Sequence, residues 1–341
     1  MRTKHLLITT LALGLAALAV LNLSRKEPPA APSRSPLVEP TLLAEAVRVE
    51  VRANGKSATL EKDGGGAWTV KEKLGLPADV DNRLGPLLRS LQKAESLGVL
   101  TTNPKRIERL GFGETVVTLT APGGRTWSAE IGRTTDDGSG SAVRLKGAPE
   151  ALRTTFSGYV EGDPASWFDP LLHSRPPEEV KSVTLTAADG SVSGTRPEKG
   201  QPFPGKEAGV LENIVSSLAT LRATDALAKD DGAAKKAFEK PVSVKLEFFD
   251  GATLTVQVGR TAGASANDQP RLFVRPAHSE TGHRINSLTA KAEFAVSGWL
   301  AEQVPATVAD FRKAVDPPPP APPVPPQGDV GLPKFAPPAQ K

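Results

Sequence analysis

The chain contains no cysteine. That one absence removes disulfides, thiolate catalysis, iron–sulfur clusters, Cys-ligated zinc and the lipid-bearing cysteine of a lipoprotein. It fits an oxidising envelope without demanding one. Aromatic residues are scarce at 5%, with a single tyrosine, so any core has to be built largely from Leu, Val and Ala. Strong charge of one sign is also missing. The formal net charge is +4 over 341 residues, and Lys and Arg are interleaved with Asp and Glu. No long basic stripe follows, and nucleic acid is excluded as a partner. The length allows about two domains.

What is present begins at the N-terminus. Arg2, Lys4 and His5 precede an uncharged apolar run from Leu6 to Leu23. As a helix rising about 1.5 Å per residue it spans ~27 Å, close to the ~30 Å of a bilayer's hydrocarbon. A basic start before an apolar stretch marks an export signal. Ala17-Leu18-Ala19 has the small-x-small form of a cleavage site, but the apolar run continues through Val20, Leu21 and Leu23. Residues 1–25 therefore read as a signal anchor, with a cleaved signal peptide as the alternative. The membrane partner is residues 6–23, which makes the chain a single-pass protein of the cytoplasmic (inner) membrane. Long domains translocate largely regardless of nearby charge, so the folded bulk is expected on the periplasmic or extracytoplasmic side.

Proline frames the rest. Residues 26–45 carry Pro28, Pro29, Pro32, Pro36 and Pro40 and read as an extended spacer. Residues 313–341 read as a Pro-rich disordered tail, since Pro317–Pro320 and the prolines beyond sustain neither helix nor ladder.

Between them lies an internal repeat. Leu84, Leu87, Leu88, Leu91 and Ala94 fall at helical spacing, and Leu211, Ile214, Val215, Leu218 and Leu221 repeat the stripe 127 positions later. Five matches predict one amphipathic helix per copy. Two alternating strands joined by a Gly turn follow each helix, and both pairs end in Gly-Arg-Thr, at Gly132-Arg133-Thr134 and Gly259-Arg260-Thr261. Each copy opens with a strand, from Val47 and from Val180. Asn54-Gly55 after the first is a favoured hairpin turn. Each copy closes near a Trp, Trp167 or Trp299. The expected fold is α+β: two tandem copies of a mostly antiparallel sheet with a packed amphipathic helix, at residues 46–175 and 178–312, joined at Arg175-Pro176-Pro177.

Candidate chemistry is thin. Gly55-Lys56-Ser57 lacks the upstream glycine of a phosphate loop, because that position is Glu50, and nucleotide binding is rejected. His278 and His283 lie five apart with Gly282 between, which suits a loop better than a metal site. Asp136-Asp137 and Asp230-Asp231-Gly232 read as acidic turns rather than calcium loops. His173 has no nucleophile elbow around it. Arg133 and Arg260 could hold an anion, but a duplicated position more simply reflects a duplicated structural need. Trp167 and Trp299 read as core plugs, with an exposed interface role as the other option. These four are the candidate interaction residues. No catalytic residue, cofactor or metal is expected, and the chain is read as a non-enzyme.

The duplicated module, its IGRT and VGRT strand ends and its terminal Trp segments resemble the bacterial domain-of-unknown-function family numbered 4340, over roughly residues 1–312. Members of that family are commonly encoded beside an ABC-type transport system of the gliding-motility kind. The resemblance implies a membrane-anchored accessory subunit with protein partners in an ABC-type or envelope complex. The alternative is a freestanding periplasmic binding module for an envelope polymer, peptide or carbohydrate, with its ligand in a cleft between the copies. The residues by themselves leave these two level.

Overall fold

The computed structural model describes residues 34–261 and 271–316. The apolar run at 6–23 and the tail beyond 316 lie outside the described residues. Among the described residues no helix is long and apolar enough to cross a membrane.

Two antiparallel sheets carry the fold. The first comprises β1 (Ser35–Pro36), β2 (Arg48–Ala53), β3 (Lys56–Lys62), β4 (Trp68–Val70), β5 (Leu76–Pro77), β6 (Glu95–Thr101), β7 (Thr115–Thr120), β8 (Thr126–Thr134), β9 (Ser141–Leu145) and β10 (Ala151–Thr154). Its spatial order is β1-β6-β10-β9-β8-β7-β2-β3-β4-β5. The second comprises β11 (Leu171–Ser174), β12 (Val180–Ala187), β13 (Gly190–Thr195), β14 (Thr220–Leu227), β15 (Val242–Phe248), β16 (Thr253–Arg260), β17 (Leu272–His278) and β18 (Glu293–Val296). Its order is β11-β14-β18-β17-β16-β15-β12-β13. Strand for strand this repeats the order of the first sheet, and among the described residues only the β4–β5 extension lacks a counterpart. The duplication read from the sequence is thus a duplication of topology.

The helices are α1 (Pro40–Glu45), α2 (Gly85–Lys93), α3 (Pro104–Glu108), α4 (Ala208–Ala219), α5 (Gly232–Ala237), α6 (Arg284–Lys291), α7 (Leu300–Gln303) and α8 (Val308–Val315). The two predicted stripes are α2 and α4. Leu84, Leu87 and Leu91 are buried in the first copy, and Leu211, Ile214, Val215 and Leu218 in the second. They share one core with the inward residues of the strands, such as Val49, Val51, Val117 and Leu119. Inward and outward residues alternate along β2 and β15, as period-2 geometry requires. Asn54 and Gly55 both take positive φ, 53° and 73°, and close β2 onto β3 in a two-residue turn.

Several edges of the modules differ from the sequence reading. The stretch expected as linker up to residue 45 contains β1 and α1, and Leu37, Val38 and Leu42 enter the core. Those three apolar residues outweigh the prolines around them. The passage between copies falls earlier than Arg175, because β11 already pairs with β14 of the second sheet. The last helix extends to Val315, with Phe311 1% exposed. Asp189 fixes its start by accepting the Val308 and Ala309 N–H groups at 2.8 and 3.0 Å.

The repeated Gly-Arg-Thr has a steric cause. A Cβ on Gly132 would stand 2.6 Å from the Leu110 carbonyl oxygen and 2.9 Å from the Phe112 ring. A Cβ on Gly259 would stand 2.8 Å from the Ala237 oxygen and 2.9 Å from the Phe238 ring. In each copy the chain leaving the short helix α3 or α5 crosses the sheet at that glycine, and only a hydrogen fits. Gly132→Ala or Gly259→Ala should each lower stability by about 1–3 kcal/mol. Gly209→Ala, on the open side of α4, should leave it unchanged or slightly raised. Urea unfolding of the three variants checks this.

A second constraint sits at β18. Glu293 is 1% exposed and accepts the Arg275 Nε–H at 2.8 and 2.9 Å, with Lys229 Nζ at 3.2 Å. Arg275 also lies 3.8 Å above the Phe238 ring. Glu293→Ala leaves that guanidinium without its anion and should cost about 3 kcal/mol. The double change Glu293→Leu with Arg275→Met should recover most of the loss, which the same unfolding series measures.

Candidate functional site

The four residues singled out by the repeat are not brought together. Arg133 is exposed at the end of β8. Arg260 is half-buried and donates to the Val304 carbonyl, and burial lowers its pKa. One arginine therefore faces solvent while its duplicate ties α7 to the second sheet. Trp167 is a core plug as expected, 2% exposed, with its indole N–H donating to the Glu161 carbonyl at 2.7 Å. Trp299 corrects the expectation: it is 55% exposed, and Leu300, the next residue, fills the core in its place. The acidic turns are closed locally. Asp231 caps α5, and hydrogen bonds from Thr135 and Ser139 hold the Asp137 carboxyl down at about 2.

The concavity with convergent polar groups lies elsewhere, beside α2. The backbone enters that helix through one wide turn, Val80–Leu84, in which the Leu84 N–H bonds to the Asp79 carbonyl at 3.0 Å. Such i→i+5 turns occur often at functional sites. Gly85 permits the turn, since a Cβ there would lie 2.6 Å from the Val80 oxygen. Asp79 caps it, accepting from the Asn82 backbone N–H at 3.1 Å and the Asn82 amide at 2.9 Å. The turn pushes Asn82 and Arg83 outward toward the connector, residues 155–170, that leads to the second sheet.

The connector forms the opposite wall. Asp79 N–H donates to the Trp167 carbonyl at 2.8 Å, and Asp169 N–H donates to Pro77 at 2.8 Å. Between these walls is a cavity of about 350 Å³ bordered by Asn82, Arg83, Ser90, Tyr159, Glu161 and Trp167. Tyr159, the only tyrosine, is 64% exposed and donates its hydroxyl to Glu161 at 3.0 Å. The Arg83 guanidinium stands 5.8 Å from its ring centroid. Backbone N–H donation from Asp163, then the Tyr159 hydroxyl, lowers the Glu161 pKa, and the Glu161 partner raises that of Tyr159. Both groups move away from neutrality, so neither is poised to exchange a proton near pH 7. The cavity offers an aromatic face, a cation, a carboxylate and hydroxyls. That set binds and orients.

The cavity is lined by the first module and the connector, not by the second sheet, so it is not the inter-copy cleft anticipated from the repeat. Sequence reasoning missed Arg83, Tyr159 and Asp79. The available signal was Gly85-Pro86 inside an otherwise regular helical stripe, which marks an irregular helix start. A larger open furrow of about 570 Å³ crosses the outer face of the first sheet. Its floor is Thr59, Thr118 and Ser128, and its rim includes Glu50, Glu130 and Lys146. The Thr118–Ser128 hydrogen bond at 2.8 Å and the Arg144–Glu130 ion pair at 2.6 Å satisfy much of it internally.

Neither a curated protein nor a solved structure matches the chain. The family model Domain of unknown function (DUF4340) matches residues 68–241, from β4 through α5 and across the connector, and so takes in every residue of the cavity beside α2. That match spans more than half of the sequence, and the chain belongs to this family.

Proposed function

We propose that the chain is a non-enzymatic, membrane-anchored envelope protein whose modules stand on the extracytoplasmic side and bind an envelope peptide or carbohydrate. The observation that carries this reading is the cavity between the Val80–Leu84 turn and the connector. Its polar groups gather around an exposed aromatic ring, the usual arrangement of a small recognition site. The lowered Glu161 and raised Tyr159 pKa values favour recognition over proton transfer. The anchor is supported by the apolar run at Leu6–Leu23.

A second reading, the accessory subunit of a gliding-motility-type ABC transport system, is favoured by a different feature. Among the described residues β1 pairs with β6 only at Glu95 and Ser96. Beyond them Val99 and Leu100 are 60% and 38% exposed along a strand edge. Open edges accept strands from partners.

Two experiments separate the readings. Arrays of envelope glycans and peptides probed with the extracytoplasmic face of the full chain should retain one class, and Tyr159→Ala or Arg83→Ala should weaken retention about tenfold. Retention by neither array, or retention indifferent to both variants, removes the first reading. A mild-detergent pull-down from native membranes tests the second. An ABC ATPase and its membrane subunit recovered in fixed proportion support it, whereas the protein recovered alone from membranes that contain the transporter counts against it.

A further inference from the structure

Three of the chain's four histidines, distant in sequence, meet on one side of the second sheet. The His278 and His283 rings stack with centroids 4.0 Å apart, and His173 lies 6.5 and 6.3 Å from them. His173 is 4% exposed on β11, against Phe248, and its Nε2 has no hydrogen-bond partner. His278 ends β17, and His283 caps α6.

The backbone contacts of the stacked pair fit rings whose Nδ1 carries a lone pair. His278 Nδ1 accepts the Glu280 N–H at 3.2 Å, and His283 Nδ1 accepts the Ile285 N–H at 3.2 Å. An imidazole accepts only when neutral, and its proton then sits on Nε2. The cap of α6 therefore exists only while His283 is uncharged. An imidazolium there would set an N–H against an N–H, and a positive charge against the positive end of the helix. The same tautomers argue against a metal centre, because neither stacked ring presents a free Nε2 lone pair. No group of His, Asp and Glu among the described residues is placed to hold a metal ion.

Other charges near the cluster do not rescue a protonated ring. Arg175, next on the chain after β11, adds positive field at His173 and His278 and is itself paired with Glu179 and Asp250. Arg222 of β14 lies opposite Leu171. Arg284 of α6 is paired with Asp169 of the connector. Glu280 and Asp250 act in the other direction on His278, but burial and the His283 ring come first and leave its pKa lowered.

We infer that the three histidines form an acid-sensitive latch that holds β11 against the start of α6 while neutral and loosens both elements when protonated. Burial first, then the two neighbouring imidazoles, pushes the His173 pKa down to about 4, and burial lowers that of His278. A base whose pKa falls on folding binds protons more readily in the unfolded chain. Its stabilising contribution is whole above about 6.5 and is lost as pH falls toward about 4. The latch thus opens across that window. The release is local because Arg284 ties α6 to Asp169 and to the Leu171 carbonyl, at 2.6 and 3.2 Å.

Amide exchange on the full-length chain in detergent, corrected for intrinsic rates, tests this at pH 7.5 and pH 5. Protection of residues 171–174 and 284–291 should fall on the order of tenfold at the lower pH. In the variant His173→Leu with His283→Asn, where Asn caps at every pH, the fall should shrink to less than about threefold. Unchanged protection in the native chain, or an equal fall in the variant, overturns the latch. Imidazole titration by NMR in the native chain gives a check that needs no variant. At least two midpoints should lie below the ordinary value, and ordinary midpoints throughout overturn it. Zinc alone at pH 7.5 should leave the unfolding midpoint unchanged. Saturable stabilisation by zinc that His173→Leu abolishes would reassign the cluster as a metal centre.

Discussion

Each sheet has one face that must leave water and essentially one long helix to cover it. The apolar stripe of α2 or α4 is that cover, and the strand order follows from having to bring inward-facing residues beneath it. A one-residue slip in any strand would turn its inward valines and leucines to solvent, so helix and register hold one another in place. The crossing at Gly132 and Gly259 completes the arrangement. The chain leaving α3 or α5 has to pass over the sheet without lifting from it, and a backbone carbonyl lies where a side chain would otherwise be. Two copies of one packing problem have reached one solution.

The copies are not interchangeable, and the differences are what give the molecule its particular features. Among the described residues only the first sheet carries the β4 and β5 extension. That extension delivers Pro77 and Ala78 to the connector, where Ala78 bridges to Phe168, and it delivers Lys73 to Asp225 and the Ala226 carbonyl of the second sheet. The wide turn at Val80–Leu84 follows directly from it, since the chain must swing from the end of β5 into α2 within a few residues. The cavity at Arg83 and Tyr159 is the space left by that swing. In the second copy the corresponding stretch forms no strand, and the added helix α6 instead follows β17, bringing His283 beside His278.

How much of this the sequence disclosed depends on whether the signal was periodic. The stripes at Leu84–Ala94 and Leu211–Leu221, the Asn54-Gly55 turn and the paired Gly-Arg-Thr strand ends all repeat at spacings set by helix or strand geometry, and each was legible. Topology was not. That β11 joins the second sheet ahead of Arg175 depends on pairing with β14 some fifty positions on, and no local pattern encodes it. Trp299 and Leu300 are adjacent, and composition cannot tell which of the two turns inward. Leu37, Val38 and Leu42 were hidden among prolines that suggested a spacer. Tyr159 and Arg83 sit seventy-six positions apart and meet only because the connector folds back on α2.

The histidines show the same limit from the other side. His278 and His283, five residues apart with Gly282 between, read as a loop rather than a metal site. The third imidazole, His173, was more than a hundred positions away and carried no motif. What joins the three is tertiary packing, and of them only His173 is buried; in the stacked pair, a ring whose Nδ1 already accepts a backbone N–H takes a proton only at the expense of that bond. The connector then links this cluster to the cavity, because its Tyr159–Trp167 stretch forms a wall of the cavity while its Asp169 is held by Arg284 of α6. Phe168, 2% exposed, separates the two ends and packs in the shared core. A connector fixed at both ends and buried between them moves as one piece, so the contacts at Asp79–Trp167 and at Asp169–Arg284 support each other.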